Sequence, residues 1–127
     1  MKNNSFTVAV LGAGNIGTAV IRRLLEVDNE VLNLNLAKVL VADLSKERDL
    51  DAGLLTTDFD EILNDENIDL VIEVLGGVEP GKGYIKDLLE SGKSVITANK
   101  DIIADCGSEL IQIAQKNNVC LYFEAAV

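Results

Sequence analysis

The apolar residues of this chain fall into short runs whose period alternates between that of a strand and that of a helix. Phe6, Val8, Val10 and Leu11 form a nearly continuous apolar segment rich in β-branched residues, the pattern of a strand covered on both faces. Ile16, Val20, Leu24, Val27 and Val31 then recur at helical spacing and predict one face of a helix running to about Glu30. Asn33 and Asn35 break that pattern, and Lys38 to Ala42 (KVLVA) predicts a second strand closing at Asp43. Leu54 to Thr57 reads as a third, short strand, and Asp58 as the cap of a short helix, DFDEILND, with Glu61 completing a capping box. Ile68 to Leu75 (IDLVIEVL) is the next strand, ended by Gly76 and Gly77. Pro80 suits the first position of a helix with Ile85, Leu88 and Leu89 as its buried stripe and Gly92 as its stop. Lys93 to Thr97 (KSVIT) is a further strand. Ala98, Asn99 and Lys100 then turn into a long helix marked by Ile103, Gly107, Leu110 and Ala114 and closed by Asn117 and Asn118, and Val119 to Phe123 (VCLYF) is the last strand. Strands alternating with helices across short connections imply a doubly wound, mostly parallel α/β sheet of about six strands with helices on both faces.

Between the first strand and the first helix stand Gly12, Gly14 and Gly17, at G-x-G-x-x-G spacing. Each has a separate physical task. Gly12 permits a turn too tight for a side chain, Gly14 lets a pyrophosphate reach the backbone, and Gly17 lets helix and strand pack closely. Phosphate oxygens then accept from the free N–H groups at the helix N-terminus, where Asn15 and Ile16 stand. A strand, these glycines and a helix in that order predict a Rossmann-type dinucleotide site. Asp43, at the end of the second strand, is the acid expected to accept from the adenosine ribose hydroxyls, although it lies further along than the usual offset of about 20 residues. Its carboxylate would repel a 2′-phosphate and favour NAD, whereas the nearby Lys46 and Arg48 could attract that phosphate and favour NADP, or simply mark the solvated start of a helix.

Composition narrows the choices. With 127 residues, 48% of them hydrophobic, the chain suffices for one domain with a real core, but a dinucleotide domain joined to a substrate domain needs about twice that length. A net charge of −10 argues against nucleic acid and anionic membranes as partners. No apolar run approaches the roughly 20 residues of a membrane span, and no charged-then-apolar leader is expected at the start. Two cysteines without any histidine make zinc a poor fit, so Cys106 and Cys120 read as reduced core thiols, which suits the cytoplasm. Proton transfer would fall to Lys, Tyr, Asp, Glu or Cys. Glu73, inside an apolar run, is either on a partly wet face or a buried acid with partners. Gly76, Gly77 and Lys100 follow strand ends on the edge where open α/β sheets bind ligands, and Lys100 is the candidate for chemistry on a substrate oxygen.

Taken together, VAVLGAGNIGTAV, LLTTDFDEIL, VIEVLGGVEP, SGKSVITANK and FEAAV resemble, in order and spacing, the nucleotide-binding half of the homoserine dehydrogenases. The resemblance spans nearly the whole chain. It implies that residues 1–127 are an NAD(P)-binding domain without the substrate domain, from an oxidoreductase interconverting homoserine and aspartate 4-semialdehyde for threonine and methionine synthesis. It implies a homo-oligomer whose contacts lie mostly outside this domain. Lys100 matches the active-site lysine of the family's TANK motif, while a second catalytic lysine and the acids that grip the substrate amino group belong to the later domain. Glu124 and Val127 match two ligands of the family's monovalent cation, such as sodium, whose other ligands lie further on. Ala42 stands where many members have an arginine for the 2′-phosphate, which tilts the expectation modestly towards NAD. Gly81 replaces the usual alanine, which is expected to loosen the helix start. Two other classes fit the same residues: a stand-alone NAD(P)-binding module without chemistry, and another amino-acid or semialdehyde dehydrogenase on this fold. An aspartate-semialdehyde dehydrogenase needs a nucleophilic cysteine, and neither Cys106 in a helix pattern nor Cys120 in a strand pattern is placed for that role.

Overall fold

The computed structural model describes residues 5–26, 33–46, 48 and 50–123. In chain order the elements are β1 (Ser5–Leu11), α1 (Asn15–Glu26), β2 (Asn33–Leu40), a 3-10 turn (Ala52–Leu54), β3 (Leu55–Thr56), α2 (Phe59–Leu63), β4 (Leu70–Glu73), α3 (Gly81–Glu90), β5 (Ser94–Thr97), α4 (Lys100–Lys116) and β6 (Leu121–Phe123). The strands form one sheet in the order β3-β2-β1-β4-β5-β6, and every neighbouring pair is parallel. Successive strands step outward from β1 on one side and, after a long crossover, from β4 on the other. The seam between β1 and β4 is therefore the topological switch point, where open α/β sheets leave a crevice at the carboxyl ends of their strands.

Two cores hold the layers together. On one face α3 and α4, with the short α2, cover Ala9, Leu11, Val71 and Val95 through Ile62, Ile85, Leu88, Leu89, Ile102 and Leu110. On the other, α1 covers Val10 and Val39 through Ile21, with Val20 and Leu24 partly buried. The stripe expected along Ile16, Val20 and Leu24 is thus displaced: the buried residues of α1 are Gly17 and Ile21, and Ile16 is 63% exposed. The cause is the phase of the helix. A Cβ at Gly17 would lie 2.4 Å from the carbonyl oxygen of Gly12, so this position must face the sheet, and at about 100° per residue Ile16 is turned away. The expectations for Val27, Val31 and the helix end near Glu30 lie outside the described residues.

Several boundaries also differ from the sequence pattern. β2 begins at Asn33, not Lys38, because pairing with β1 from Ser5↔Asn33 supplies its ladder despite the two asparagines, with a register shift between Val8 and Ala9 absorbing the mismatch. Asp58 caps α2 as expected, its side chain accepting from the Asp60 N–H. The capping box does not form, since the Asp58 N–H donates to Thr56 Oγ1 and Glu61 pairs with Lys38 at 3.5 Å. Pro80 caps α3 instead of occupying its first turn. Gly92 and Asn118, with φ of 93° and 58°, end α3 and α4 in the left-handed region. Both cysteines are free, but only Cys106 is buried; Cys120 is exposed, which corrects its assignment to the core. It lies just before β6, in a shallow cleft with Phe6, Leu70, Ser94, Ile96 and Tyr122 on the face of β4 to β6 opposite α3 and α4.

Cys106 interrupts α4 with φ of −149°, and its thiol donates to the Ile102 carbonyl at 3.3 Å. Burial pushes that thiol above its ordinary value of 9.0, and Lys82, bonded to Asp105 at 3.2 Å, is raised above 10.5 by that bond. A group whose folded pKa is raised stabilises fully below its unfolded pKa and loses that contribution as pH rises through the folded value. Both groups therefore weaken the α3–α4 layer on the alkaline side. Thermal denaturation followed by circular dichroism is expected to show a melting temperature that falls from about pH 9 upward. Cys106→Ala should flatten the first part of that fall, whatever its offset at neutral pH.

Candidate functional site

A cleft of 430 Å³ opens at the switch point, lined by Gly12, Ala13 and Gly14 after β1, Leu40 at the end of β2 with Val41 and Ala42 after it, Lys46 and Arg48, Thr57 after β3, Val74, Leu75 and Gly76 after β4, and Pro80 and Tyr84 at the cap and in the first turn of α3. Strand-end backbone and the start of one helix make its walls, and the local sequence dictates both. Gly12 adopts φ of 109°, a conformation closed to ordinary side chains, while its N–H still bonds the Leu40 carbonyl at 2.9 Å. A Cβ there would meet Val74 O at 3.2 Å, so the turns after β1 and β4 touch only because this residue is glycine. Thr18 ties the turn to α1, its N–H on Gly14 O at 2.8 Å and its hydroxyl on Ala13 O at 3.0 Å.

Gly14 differs from its two partners in the motif. A Cβ added to it would meet no protein atom within 4 Å. The protein's own packing does not require glycine there, whereas a pyrophosphate drawn onto the backbone N–H groups at the α1 N-terminus does. The residues present thus fit a dinucleotide.

The other expected residues are spread around this cleft. Gly12, Gly14, Lys46, Arg48 and Gly76 line it. Gly17 serves packing beneath it, and Asn15 and Ile16 begin α1 exposed, outside the lining. Asp43 is exposed and turned into its own loop, where its Oδ1 accepts from the Ser45 N–H at 2.8 Å and the Ser45 hydroxyl at 2.6 Å. Those bonds hold its carboxyl below its ordinary 3.8, with Arg48 and Lys46 adding to the effect. Arg48 is braced by the carbonyls of Asp43 at 2.7 Å and Lys46 at 3.3 Å. Gly77, with φ of 72°, lies in the turn after β4, where its carbonyl accepts from the side-chain amide of Asn99 at 2.5 Å. Lys100 is the exposed first residue of α4, following the cap Asn99, whose Oδ1 accepts from the N–H groups of Asp101 and Ile102. Glu124 and Val127 lie outside the described residues.

Sequence reasoning missed part of the wall. Tyr84 lines the cleft and stacks on Phe59, ring centroids 4.0 Å apart. An aromatic at helical spacing after Pro80 was a detectable signal; its partner on α2 was not. Glu73 is 0% exposed, which settles its two alternatives as a buried acid with partners. Among the described residues no group of acids and cysteines is arranged to hold a metal ion, and no helix is long and apolar enough to cross a membrane.

Fold and cleft together define a Rossmann-type dinucleotide-binding domain. Residues 12–124 match the family described as homoserine dehydrogenase, NAD binding domain, and the chain belongs to that family. It is 41% identical to the homoserine dehydrogenase of Bacillus subtilis over 127 residues, covering 94% of this chain but 29% of that protein. Against the homoserine dehydrogenase of Mycobacterium tuberculosis the identity is 43%, covering 94% and 28%. The crystal structure of the Staphylococcus aureus homoserine dehydrogenase superposes with a TM-score of 0.86 at 37% identity, over 94% of this chain and 32% of that one. The chain thus spans less than a third of these relatives' length.

Two glycine substitutions separate packing from binding. Gly17→Ala is expected to destabilise the domain by at least about 3 kcal/mol, since backbone cannot yield as a side-chain tip can. Gly14→Ala should leave thermal stability near that of the parent chain and weaken dinucleotide binding about ten-fold or more, through lost bonds to phosphate. Melting curves and calorimetric titration read the two effects apart.

Proposed function

We propose that this chain is the cofactor-binding domain of a cytoplasmic, homo-oligomeric oxidoreductase that interconverts L-homoserine and L-aspartate 4-semialdehyde with NAD(P), in threonine and methionine synthesis. The openness at Gly14, at the head of a helix on the switch point, carries the dinucleotide half of this reading. Family membership supports the substrate half. A bound nicotinamide supplies or accepts the hydride exchanged with C4 of the substrate. Gly76 and Gly77 leave bare backbone for that end of the cofactor. Lys100, at the positive end of the α4 dipole, orders the reacting oxygen and relays the proton that the substrate hydroxyl loses. Residues 1–127 act as one domain, and the second lysine and the acids for the substrate amino group belong to a further domain. Glu124 and Val127 would supply two ligands of a monovalent-cation site.

The free cysteines suit a reducing compartment. They also weigh against an aspartate-semialdehyde dehydrogenase. Cys106 is buried with its thiol pKa pushed up by burial, and Cys120 lies at the opposite end of the sheet, beside the first residues of β4 and β5.

On the adenosine side, Lys46 and Arg48 line the cleft while the Asp43 carboxylate bonds within its own loop. Against the modest tilt towards NAD from Ala42, Lys46 and Arg48 would offer positive charge to a 2′-phosphate bound at this end of the cleft. NADP is expected to bind at least as tightly as NAD. Lys46→Ala and Arg48→Ala should each weaken NADP about three-fold or more, as the loss of one exposed charge contact does, with little effect on NAD. Calorimetric titration with both dinucleotides measures this, and a ten-fold preference for NAD would reject it. The chain alone is expected not to oxidise homoserine, since the substrate-gripping acids lie outside it. Absorbance at 340 nm with NADP and homoserine tests that, and turnover above trace would refute the division of labour.

A further inference from the structure

Glu73 is the last residue of β4, at the centre of the sheet, and it is fully buried. A carboxylate in that position needs several donors. The Leu75 N–H donates to its Oε2 at 2.9 Å, the Thr97 hydroxyl donates to its Oε1, and the Asn99 side-chain amide stands 3.5 Å from Oε2. Each donor belongs to a segment at the ligand edge. Leu75 opens the Gly76-Gly77 turn, Thr97 ends β5, and Asn99 caps the helix that begins with Lys100.

Asn99 extends the connection in both directions. Its amide also donates to the Gly77 carbonyl at 2.5 Å, while its Oδ1 takes the first free N–H groups of α4. Thr97 Oγ1 in turn accepts from the Asn99 N–H at 3.0 Å. Space for the carboxylate is set by Gly81, where a Cβ would stand 3.2 Å from Oε2 and 2.9 Å from Ile102 Cδ1. Gly81 is thus fitted to this packing.

We propose that Glu73 is a positioning residue for the nicotinamide end of the site, acting through Asn99 to fix the Gly76-Gly77 turn against the first turn of α4. This rests on the dinucleotide reading above, and it assigns a role to a side chain that itself touches no ligand. Its partners Leu75, Thr97 and Asn99 all lie on the β4 and β5 side of the switch point, whereas Gly12, Gly14, Lys46 and Arg48 serve the pyrophosphate and adenosine. Disturbing the carboxylate should therefore affect one end of the cofactor and spare the other.

The test compares NADH with ADP-ribose, which lacks the nicotinamide ring, by calorimetric titration of the parent chain, Glu73→Gln and Asn99→Ser. Serine keeps a capping oxygen for α4 but removes the amide that reaches Glu73 and Gly77, so this variant remains informative if Glu73→Gln fails to fold. Each variant is expected to bind NADH about ten-fold more weakly, as expected for a lost bond to a charged group, with ADP-ribose within about two-fold of the parent. Equal weakening of both ligands would make the network mere scaffolding and overturn the proposal, as would unchanged NADH binding. If the parent binds ADP-ribose and NADH equally, the nicotinamide end is not held here and the proposal falls alone. If the parent binds neither, the dinucleotide reading falls with it.

Discussion

The close approach of α1 to the end of β1 is the constraint on which the site depends. With glycine at position 17, the helix can rest against the Gly12 carbonyl at a distance that no Cβ would allow. That contact sets the rotation of α1, decides that Ile21 and not Ile16 enters the core, and holds the helix N-terminus at the sheet's carboxyl edge. The positive φ of Gly12 and its N–H bond to β2 complete the turn. Moving the helix outward by the width of a methyl group would take its free N–H groups away from the position that a phosphate would occupy.

A second centre lies across the seam. Where the first turn is held chiefly by backbone, with the Thr18 hydroxyl on Ala13 O, the turns after β4 and β5 converge on the buried carboxylate of Glu73. The contrast has a physical basis on the proposed reading: a phosphate is recognised well by bare N–H groups and a helix dipole, whereas a nicotinamide end would need groups held at fixed positions. A buried acid with several donors supplies such fixity, because each donor would be left without a partner if it moved.

The sheet is unevenly covered. α2, α3 and α4 pack on one face, while α1 reaches β1 and β2 on the other, leaving Phe6 and Tyr122 43% and 67% exposed. The chain spans 29% of the length of the Bacillus subtilis relative it matches.

Much of this was legible in the residues. Glycine spacing, the strand and helix periods, the Asp58 cap and the Gly92 stop are local, because each reflects backbone conformations that a few neighbouring residues impose. The order of these elements sufficed for a doubly wound sheet. Tertiary structure decided the rest, through contacts between positions far apart in the chain. Pairing with β1 extended β2 back to Asn33, contact with Gly12 turned Ile16 outward, and the bonds of Ser45 drew Asp43 away from the cleft that Lys46 and Arg48 line. Glu73 shows the division most plainly. Its sequence position favoured a partly wet face over a buried acid, and the structure reverses that: Thr97 and Asn99, arriving on the neighbouring strand end, join the local Leu75 N–H as the donors that burial requires.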